Sequence, residues 1–402
     1  MSGMSGGQHS QLAQLPLFPV TVVGSWPRPP YLLDALRKRQ KGQLSFQEFQ
    51  KVADQAVLET LRYQDEAGVD IVSDGEQRRD NFYSFVVEKL DGVELMTLAD
   101  LMDHVEDKAG FDSILRSMDA PAFGIKNPTV TGKLRPRMPL ALDEYQFLRR
   151  HTDKPIKVPL PGPYILIRSM WVKGVSDAIY PTQEDLAVDI VKILRDELIA
   201  LRDAGVDFVQ FDEPVLTDVA FNPAVKERTF MCASMAASSG DPGKELLLAT
   251  RMMNSIVDGV KGVRTGVHLC RGNWSRKDEV LLKGSYEPLV PTMMGMHLDQ
   301  LVLEYATPRA GELAAFQHHR QEKEIGLGVV NPRSDEMESP DSVVERVKEA
   351  LEYFKPQQIF LNPDCGFGTF AERPMNPAEI AAKKLGIISQ AAQKLRARHY
   401  GD

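Results

Sequence analysis

Four residues near the ends of three apolar segments have the chemistry of metal ligands. His268 and Cys270 stand two positions apart in HLC, Glu304 closes LVLE, and Cys365 lies in NPDCG. Alternate residues of an extended chain point to the same side, so His268 and Cys270 can bind one ion. Two thiolates, an imidazole and a carboxylate form a donor set typical of tetrahedral Zn²⁺. The four residues therefore predict a zinc site if the fold brings their segments together.

The alternative for any one of these residues is a structural role. A lone cysteine is more often a small buried apolar side chain than a ligand. Cys232, in MCASM, fits that description because it lies within a predicted helical segment. His297, His318 and His319 lie beside predicted helices and not at strand ends, which argues against metal binding by them.

A second group of residues has the chemistry to bind a charged substrate. Ser25 lies in VVGSWP, Asp74 and Glu76 lie in SDGE, and Asp212 and Glu213 lie in FDEP. Carboxylates near a metal can hold the ammonium group of an amino acid through charge-assisted hydrogen bonds. The alternative is that these acids cap the following helices or pair with nearby arginines. The residue types alone leave both roles open.

Eight short apolar segments alternate with helical segments along the chain. These predicted strands are Val20–Ser25, Val69–Asp74, Ile156–Leu160, Phe208–Asp212, Arg264–His268, Leu301–Tyr305, Ile325–Val330 and Ile359–Asn362. They lack strict polar–apolar alternation, which is typical of strands buried on both faces. The pattern favours an α/β fold, a single (β/α)8 TIM barrel, over a doubly wound sheet. An insertion at about 93–154, with an extra strand near Thr129–Leu134, separates strands 2 and 3.

The helical segments indicate where the strands begin. Helices are predicted at Ser45–Glu66, Glu184–Ala204 and Ser339–Phe354, and the same tetrapeptide, AGVD, marks the C-terminal boundary of the first two. The glycine of AGVD suits the left-handed position that follows a helix. Active sites of TIM barrels lie at the C-terminal ends of the strands. The candidate ligands and acids all fall at or just after such ends.

Composition excludes several other classes of protein. The chain has 402 residues, 43% of them hydrophobic, which is enough for a large core. Its three cysteines cannot form a disulfide framework, and this predicts a reducing, cytoplasmic location. The net charge of −8 and the absence of a basic block argue against nucleic-acid binding. No segment is apolar enough to span a membrane. Residues 1–16 are predicted to be a flexible tail, and 17–402 the barrel.

The ordered segments resemble a known family. VVGSWPRP, SDGEQRRDNF, LPGP, VQFDEPVL, VHLC, LEYA and NPDCGFGT are similar to the catalytic barrel of cobalamin-independent methionine synthases, from about Pro19 to Arg396. The chain has room for one barrel, as in the single-barrel core type. The resemblance implies transfer of a methyl group, from methyl-tetrahydrofolate, its polyglutamate or another donor, to homocysteine.

The resemblance also implies a role for each candidate residue. It implies four zinc ligands: His268, Cys270, Glu304 and Cys365. It implies that Ser25 lies where the homocysteine carboxylate binds, and that Glu76 and Asp212 bind the homocysteine amino group. A zinc-bound thiol loses its proton, and the resulting thiolate is the nucleophile that accepts the methyl group.

Two segments depart from the family pattern on the side of the methyl donor. Members that use methyl-tetrahydrofolate have a histidine after the seventh strand for acid catalysis, whereas here GVVNPRSDEM places Arg333 near that position. Arginine does not release a proton at neutral pH, which leaves Asp335 and Glu336 as candidate acids. The family tryptophan that stacks on the pterin corresponds to Trp171, which here lies two residues late.

Three functions remain open from the sequence. The first is the zinc-dependent methyltransferase, with homocysteine and a methyl donor as its small-molecule partners. The second is a thiol alkyltransferase of the epoxyalkane–coenzyme M transferase type, whose thiol has no amino group. The third is a zinc-binding barrel without catalytic activity. The acids Glu76 and Asp212 favour an amino-acid thiol. The sequence leaves the oligomeric state open, a homo-oligomer included.

Overall fold

The computed structural model describes residues 15–97, 100, 126–221, 241–273, 275–276, 281–319 and 323–399. Residues 1–14 of the predicted tail and Cys232 lie outside this range. The strands of the described part are β1 (Leu90–Thr97), β2 (Lys126–Pro136), β3 (Lys157–Pro161), β4 (Phe208–Asp212), β5 (Arg264–Leu269), β6 (Gln300–Leu303), β7 (Glu324–Val330) and β8 (Ile359–Pro363).

Strands β3 to β8 form one parallel sheet in chain order. Every residue of β3, β4, β6 and β8 is buried, as expected for strands covered by helices outside and by side chains inside. The register aligns Asp212 of β4 with His268 of β5. The C-terminal ends of these strands therefore share one face of the sheet, where the candidate residues were predicted.

Two short segments close the sheet into a barrel. Val20 bridges to Leu361 of β8, Thr21 bridges to Ile71, and Val72 bridges to Ile156, all in parallel orientation. The two strands predicted at Val20–Ser25 and Val69–Asp74 are thus present as single bridges and not as full ladders. One reason is that the Asp70 carboxylate, 2.8 Å away, accepts the Val20 N–H that a longer ladder would use.

The helices lie between the strands as the sequence predicts. Those within the described residues are α1 (Pro30–Gln40), α2 (Phe46–Glu66), α3 (Val86–Lys89), α4 (Leu142–Arg149), α5 (Pro163–Met170), α6 (Gln183–Asp203), α7 (Val215–Phe221), α8 (Pro242–Val257), α9 (Val290–Gly295), α10 (Pro340–Leu351) and α11 (Ala378–His399). Capping boxes begin α2 at Ser45 and α6 at Thr182. Gly68 and Gly205 follow these two helices with φ of 77° and 89°, as the repeated AGVD predicts.

The insertion between the second and third barrel strands contains an antiparallel hairpin. Its strands β1 and β2 pair from Leu90 with Pro136 to Thr97 with Lys126. β2 includes the extra strand predicted at Thr129–Leu134, and α4 supplies a helical part. No helix within the described residues is both long and apolar enough to cross a membrane.

Candidate metal and substrate site

A pocket of about 420 Å³ opens at the C-terminal ends of the barrel strands. Six of the predicted site residues line it: Ser25, Glu76, Asp212, His268, Cys270 and Cys365. These residues come from segments that are far apart in the chain and meet only because parallel strands end on one face. The structure thus brings three of the four predicted ligands and the substrate-binding acids Glu76 and Asp212 into one cavity.

His268, Cys270 and Cys365 form a compact buried cluster. Their ligand atoms all lie within 4.8 Å of one another, and His268 Nε2 is 3.4 Å from Cys365 Sγ. His268 Nδ1 lies 3.0 Å from the carbonyl oxygen of Val302, which makes Nδ1 the donor and leaves Nε2 free to bind a metal. Within the described residues, this is the group of histidines, cysteines and acids whose geometry can hold an ion.

The two thiols differ in their affinity for a proton. A hydrogen bond from the Cys365 thiol lowers the pKa of Cys270, and the neighbouring His268 lowers it further, whereas burial acts to raise it. The same bond and burial raise the pKa of Cys365 well above its usual value. Burial alone would lower the pKa of His268, but the neighbouring Cys270 raises it to about 9. The three side chains therefore share protons, and a bound cation would displace those protons.

Glu76 occupies an unusual backbone position beside the cluster. Its φ is 54°, in the left-handed region, and its side chain is buried with Oε2 lacking a hydrogen-bond partner. A Cβ on Gly24 would lie 2.4 Å from Glu76 Oε1, so glycine is needed at position 24 for this carboxylate to fit. Burial raises the pKa of Glu76 to about 7, with Arg79 opposing the rise.

Asp212 and Ser25 complete the polar wall of the pocket. Asp212 Oδ1 accepts a hydrogen bond of 2.8 Å from Gln210, and burial raises the pKa of Asp212 to about 6 while His268 opposes the rise. A Cβ on Gly366 would lie 2.1 Å from Ser25 Oγ, so the loop that carries Cys365 packs directly on Ser25. The pocket therefore places two carboxylates and one hydroxyl beside two thiols and an imidazole.

Comparison with known proteins identifies the family of this chain. The family model described as the catalytic domain of cobalamin-independent synthase matches residues 18–394. The chain belongs to this methyltransferase family. A methionine synthase of Sulfolobus acidocaldarius is 28% identical over 373 residues, which are 92% of this chain and 90% of the relative. One of Thermococcus kodakarensis is 28% identical over 384 residues and covers 95% of both chains.

Solved structures support the fold of the family. A B12-independent methionine synthase from Shewanella sp. W3-18-1, solved with selenomethionine, has a TM-score of 0.71 at 22% identity. The alignment covers 96% of this chain and 100% of that one. The putative enzyme from Listeria monocytogenes has a TM-score of 0.67 at 21% identity. The predicted α/β barrel is confirmed.

Glu304, the fourth ligand that the family resemblance implies, lies apart from the three-residue group. It is fully buried, and both of its carboxylate oxygens have partners. Oε1 accepts a hydrogen bond of 2.9 Å from the Arg271 N–H, and Oε2 accepts one of 2.9 Å from Arg309. The residue that follows Cys270 thus contacts this carboxylate, which is held beside the cluster and not within it.

Arg28 positions the backbone around Glu76. Its guanidinium donates to the carbonyl oxygens of Glu76 at 2.8 Å and Arg79 at 2.9 Å, and also to those of Trp26 and Gly368. These carbonyls belong to the loops that follow the first, second and eighth barrel strands. The sequence left open an ion pair between a nearby arginine and one of the substrate-site acids. Arg28 instead contacts backbone carbonyl oxygens.

Glu213 and Asp74 have structural partners. Glu213 accepts N–H bonds of 2.7 Å from Tyr164 and 3.0 Å from Ile165, and so caps α5. Burial raises the pKa of Glu213 to about 8. Asp74 Oδ1 accepts a 2.9 Å bond from the Glu76 N–H and so fixes the turn on which Glu76 sits. Asp74 Oδ2 also lies 3.9 Å from Arg78 Nη1, the kind of arginine pairing that the sequence left open. Glu213 caps a helix that precedes it in the chain, whereas the sequence left open a cap on the helix that follows.

The donor-side candidates lie away from the pocket lining. Asp335 and Glu336 are exposed, whereas Arg333 is buried. Trp171 is half-buried, and its indole N–H donates to the carbonyl oxygen of Tyr180 at 2.8 Å. None of these four residues lines the pocket that contains the cluster. Asp335 and Glu336 therefore lie outside the lining of this pocket, and their role as acids stays a prediction.

The other histidines are remote from the cluster, as the sequence predicts. His297 is exposed and contacts Asp258 at 2.7 Å, and His318 is exposed. Phe82, Asn273 and Thr369 also line the pocket, and sequence reasoning did not identify them. Asn273 donates 2.7 Å bonds to the Gly366 carbonyl and to Thr369 Oγ1. Its position three residues after Cys270 was the one signal that could have identified it.

Proposed function

We propose that this protein transfers a methyl group to the thiol of homocysteine, giving methionine, with a zinc ion held by His268, Cys270 and Cys365. The observation that carries the proposal is the common pocket of this buried cluster with Glu76 and Asp212. A thiol-activating metal and an ammonium-binding pair of acids together fit an amino acid that bears a thiol.

The cluster fits zinc in its donors and dimensions. Zn–S and Zn–N bonds of tetrahedral sites place neighbouring ligand atoms about 3.5–3.8 Å apart. The His268–Cys365 separation of 3.4 Å is close to that range, and all three atoms lie within 4.8 Å of one another. Three protein ligands leave a fourth position for a substrate, as in catalytic zinc sites. Both thiols must stay reduced to bind the ion, which supports the predicted cytoplasmic location.

Zinc, when bound there, supplies the positive charge that keeps a substrate thiol deprotonated at neutral pH. Glu76 and Asp212 hold the substrate ammonium group, and the free Oε2 of Glu76 gains the partner that it otherwise lacks. Ser25 is assigned to the carboxylate end of the substrate. Burial of all three side chains excludes water and strengthens these polar contacts.

The methyl donor is proposed to be a methyl-folate, as the family resemblance implies. Methylcobalamin and other methyl donors stay within the proposal, because Arg333 lies near the position where the folate-using members have a histidine. The coenzyme M type of alkyltransferase is less well supported, since its thiol has no ammonium group to meet Glu76 and Asp212.

A metal assay and a donor screen test the proposal together. Purified protein should contain about one zinc per chain, and Cys365→Ala and His268→Ala should lose it. His297→Ala, which changes an exposed histidine, is the matched control and should keep the metal. Homocysteine should then be methylated by methyl-tetrahydrofolate, its polyglutamate form or methylcobalamin.

Three outcomes contradict the proposal. Full zinc occupancy in Cys365→Ala would exclude the assigned cluster as the metal site. Binding of coenzyme M without binding of homocysteine would support the alkyltransferase instead. A zinc-loaded protein that binds homocysteine but transfers no methyl group from any donor would support the non-catalytic barrel.

A further inference from the structure

The segment that leads to Ser25 is held by side chains and not by a β-ladder. Its bridges to neighbouring strands lie at Val20 and Thr21, upstream of the residues that line the pocket. The next three carbonyl oxygens each accept a side-chain hydrogen bond: Val22 from Lys157 at 2.9 Å, Val23 from Gln210 at 2.9 Å and Gly24 from Ser73 at 3.1 Å. The position of Ser25 therefore depends on polar side chains inside the barrel.

Gln210 connects this segment to one of the acids of the pocket. Its amide nitrogen, Nε2, donates to the Val23 carbonyl oxygen at 2.9 Å and to Asp212 Oδ1 at 2.8 Å. Alternate residues of a strand point to the same side, so Gln210 lies one layer deeper in the barrel than Asp212. Gln210 is 0% exposed, whereas Val23 and Asp212 line the pocket. One buried amide group thus links two parts of the pocket wall.

The hydrogen bonds determine the orientation of the Gln210 amide. Its two neighbours, a backbone carbonyl and a carboxylate oxygen, are both acceptors, so the amide must present its NH₂ group to them. Both protons of this group are then used, and Oε1 has no hydrogen-bond partner among the described residues. Because the amide is neutral, it orients the Asp212 carboxylate without neutralising its charge.

The substrate assigned to this pocket requires a fixed spacing between its binding groups. The ammonium and carboxylate groups of an α-amino acid are attached to one carbon atom. A site binds both groups well only if the residues that receive them are held at the matching distance. Here Gln210 bonds Asp212 and also Val23, which lies two residues before Ser25. The Gln210 amide therefore sets the spacing between the ammonium acid and the carboxylate end of the site.

We propose that Gln210 is a positioning residue that fixes Asp212 relative to the Ser25 segment and so selects a thiol with ammonium and carboxylate groups on one carbon. The inference rests on the proposed function, in which Asp212 binds the ammonium group and Ser25 lies at the carboxylate end. Gln210 acts through these residues and not by contact with the substrate, since its side chain is fully buried behind the pocket wall.

Gln210→Met tests the proposal, because methionine has nearly the same length and no hydrogen-bond donor. The quantity measured is the ratio of the affinities for homocysteine and for its des-amino analogue, from calorimetric titration of zinc-loaded protein. The variant should lower this ratio by about 10-fold, within the range of couplings between residues in contact. Zinc content should stay at the wild-type level, because the bonds of Gln210 go to Val23 and Asp212 and not to the three ligands.

Further variants separate this role from general damage to the barrel. Asp212→Asn should itself lower the ratio, and Gln210→Met added to it should lower the ratio little further, because Gln210 acts on the ammonium group through Asp212. The matched control is Gln300→Met. Gln300 is also a fully buried glutamine whose Oε1 has no partner within the described part of the chain, but it begins β6 and donates to Glu324. Its variant should leave the ratio unchanged.

Three results overturn the inference. One is an unchanged ratio in Gln210→Met or, if that variant does not fold, in Gln210→Asn, whose shorter side chain cannot reach both acceptors. Another is equal weakening of both ligands, which indicates a structural role alone. The third is an equal fall of the ratio in Gln300→Met. If Asp212→Asn leaves the ratio unchanged, the assignment of Asp212 in the proposed function is refuted, and this inference with it.

Discussion

Replacing Glu76 by glutamine keeps the shape of the side chain and removes the charge assigned to the substrate ammonium group. Glu76 is 2% exposed, and its Oε2 has no hydrogen-bond partner. This oxygen is therefore a buried acceptor that a substrate ammonium group can satisfy. A hydrogen bond between charged groups contributes about 1.5–3 kcal/mol. At about 1.4 kcal/mol per factor of ten, Glu76→Gln should weaken homocysteine binding roughly 10- to 150-fold.

The pH dependence gives a second signature of the same contact. With a pKa of about 7, Glu76 is largely protonated at pH 6 and largely ionised at pH 8. Only the ionised form attracts an ammonium ion, so homocysteine affinity of the wild type should rise between these pH values. Glu76→Gln should lose the part of this rise that comes from Glu76.

Calorimetric titration of zinc-loaded protein at pH 8 separates this effect from a general loss of shape. The matched ligand is the des-amino analogue of homocysteine, which keeps the thiol and the carboxylate. Its affinity should be the same in the wild type and in Glu76→Gln. Equal weakening of both ligands, or no weakening of either, would refute the assignment of Glu76 to the ammonium group.

Two further predictions concern residues outside the ligand contacts. Lys157 is buried and donates a 2.9 Å hydrogen bond to the Val22 carbonyl oxygen. Burial lowers the pKa of Lys157 to about 7, and the nearby Asp212 carboxylate opposes this fall. Between about pH 7 and pH 10 the unfolded chain therefore binds more protons than the folded chain. The free energy of unfolding of the wild type, relative to that of Lys157→Met, should rise with pH in this range, and the gain should be lost as pH falls towards 7. Denaturant unfolding measures this difference, and a difference that does not change with pH would contradict the prediction. Asp335→Asn and Glu336→Gln should leave the rate of methyl transfer unchanged because both side chains are exposed. A large fall in kcat in either variant would instead support a role for that residue as the catalytic acid.

Much of the barrel could be predicted because helix ends and buried strands have local signatures. The glycine of AGVD and the capping residues Ser45 and Thr182 define helix ends without any tertiary information. The short bridges at Val20 and Val72 could not be predicted. The length of the Val20 bridge depends on the Asp70 carboxylate, which accepts the Val20 N–H from fifty positions away in the chain.

The site was predictable where it depends on strand ends and unpredictable where it depends on orientation. Strand ends alone bring Glu76, Asp212 and the cluster together. Whether a carboxylate points into the pocket or caps a helix is decided by neighbours, and Glu213 differs from Asp212 for this reason. The partner of Glu304 is an arginine in a 3₁₀ turn, Pro308–Ala310, which no strand-end rule indicates.

The closure of the barrel between the Val20 segment and β8 has a consequence for synthesis of the chain. Cys365 and the Gly368 carbonyl that Arg28 binds both belong to the last loop, whereas His268 and Cys270 emerge from the ribosome almost a hundred residues earlier. A nascent chain that ends before β8 has one thiol and one imidazole of the cluster and an open barrel. The metal cluster therefore cannot form before roughly nine-tenths of the chain has been translated, and occupancy by an ion would report that the barrel has closed.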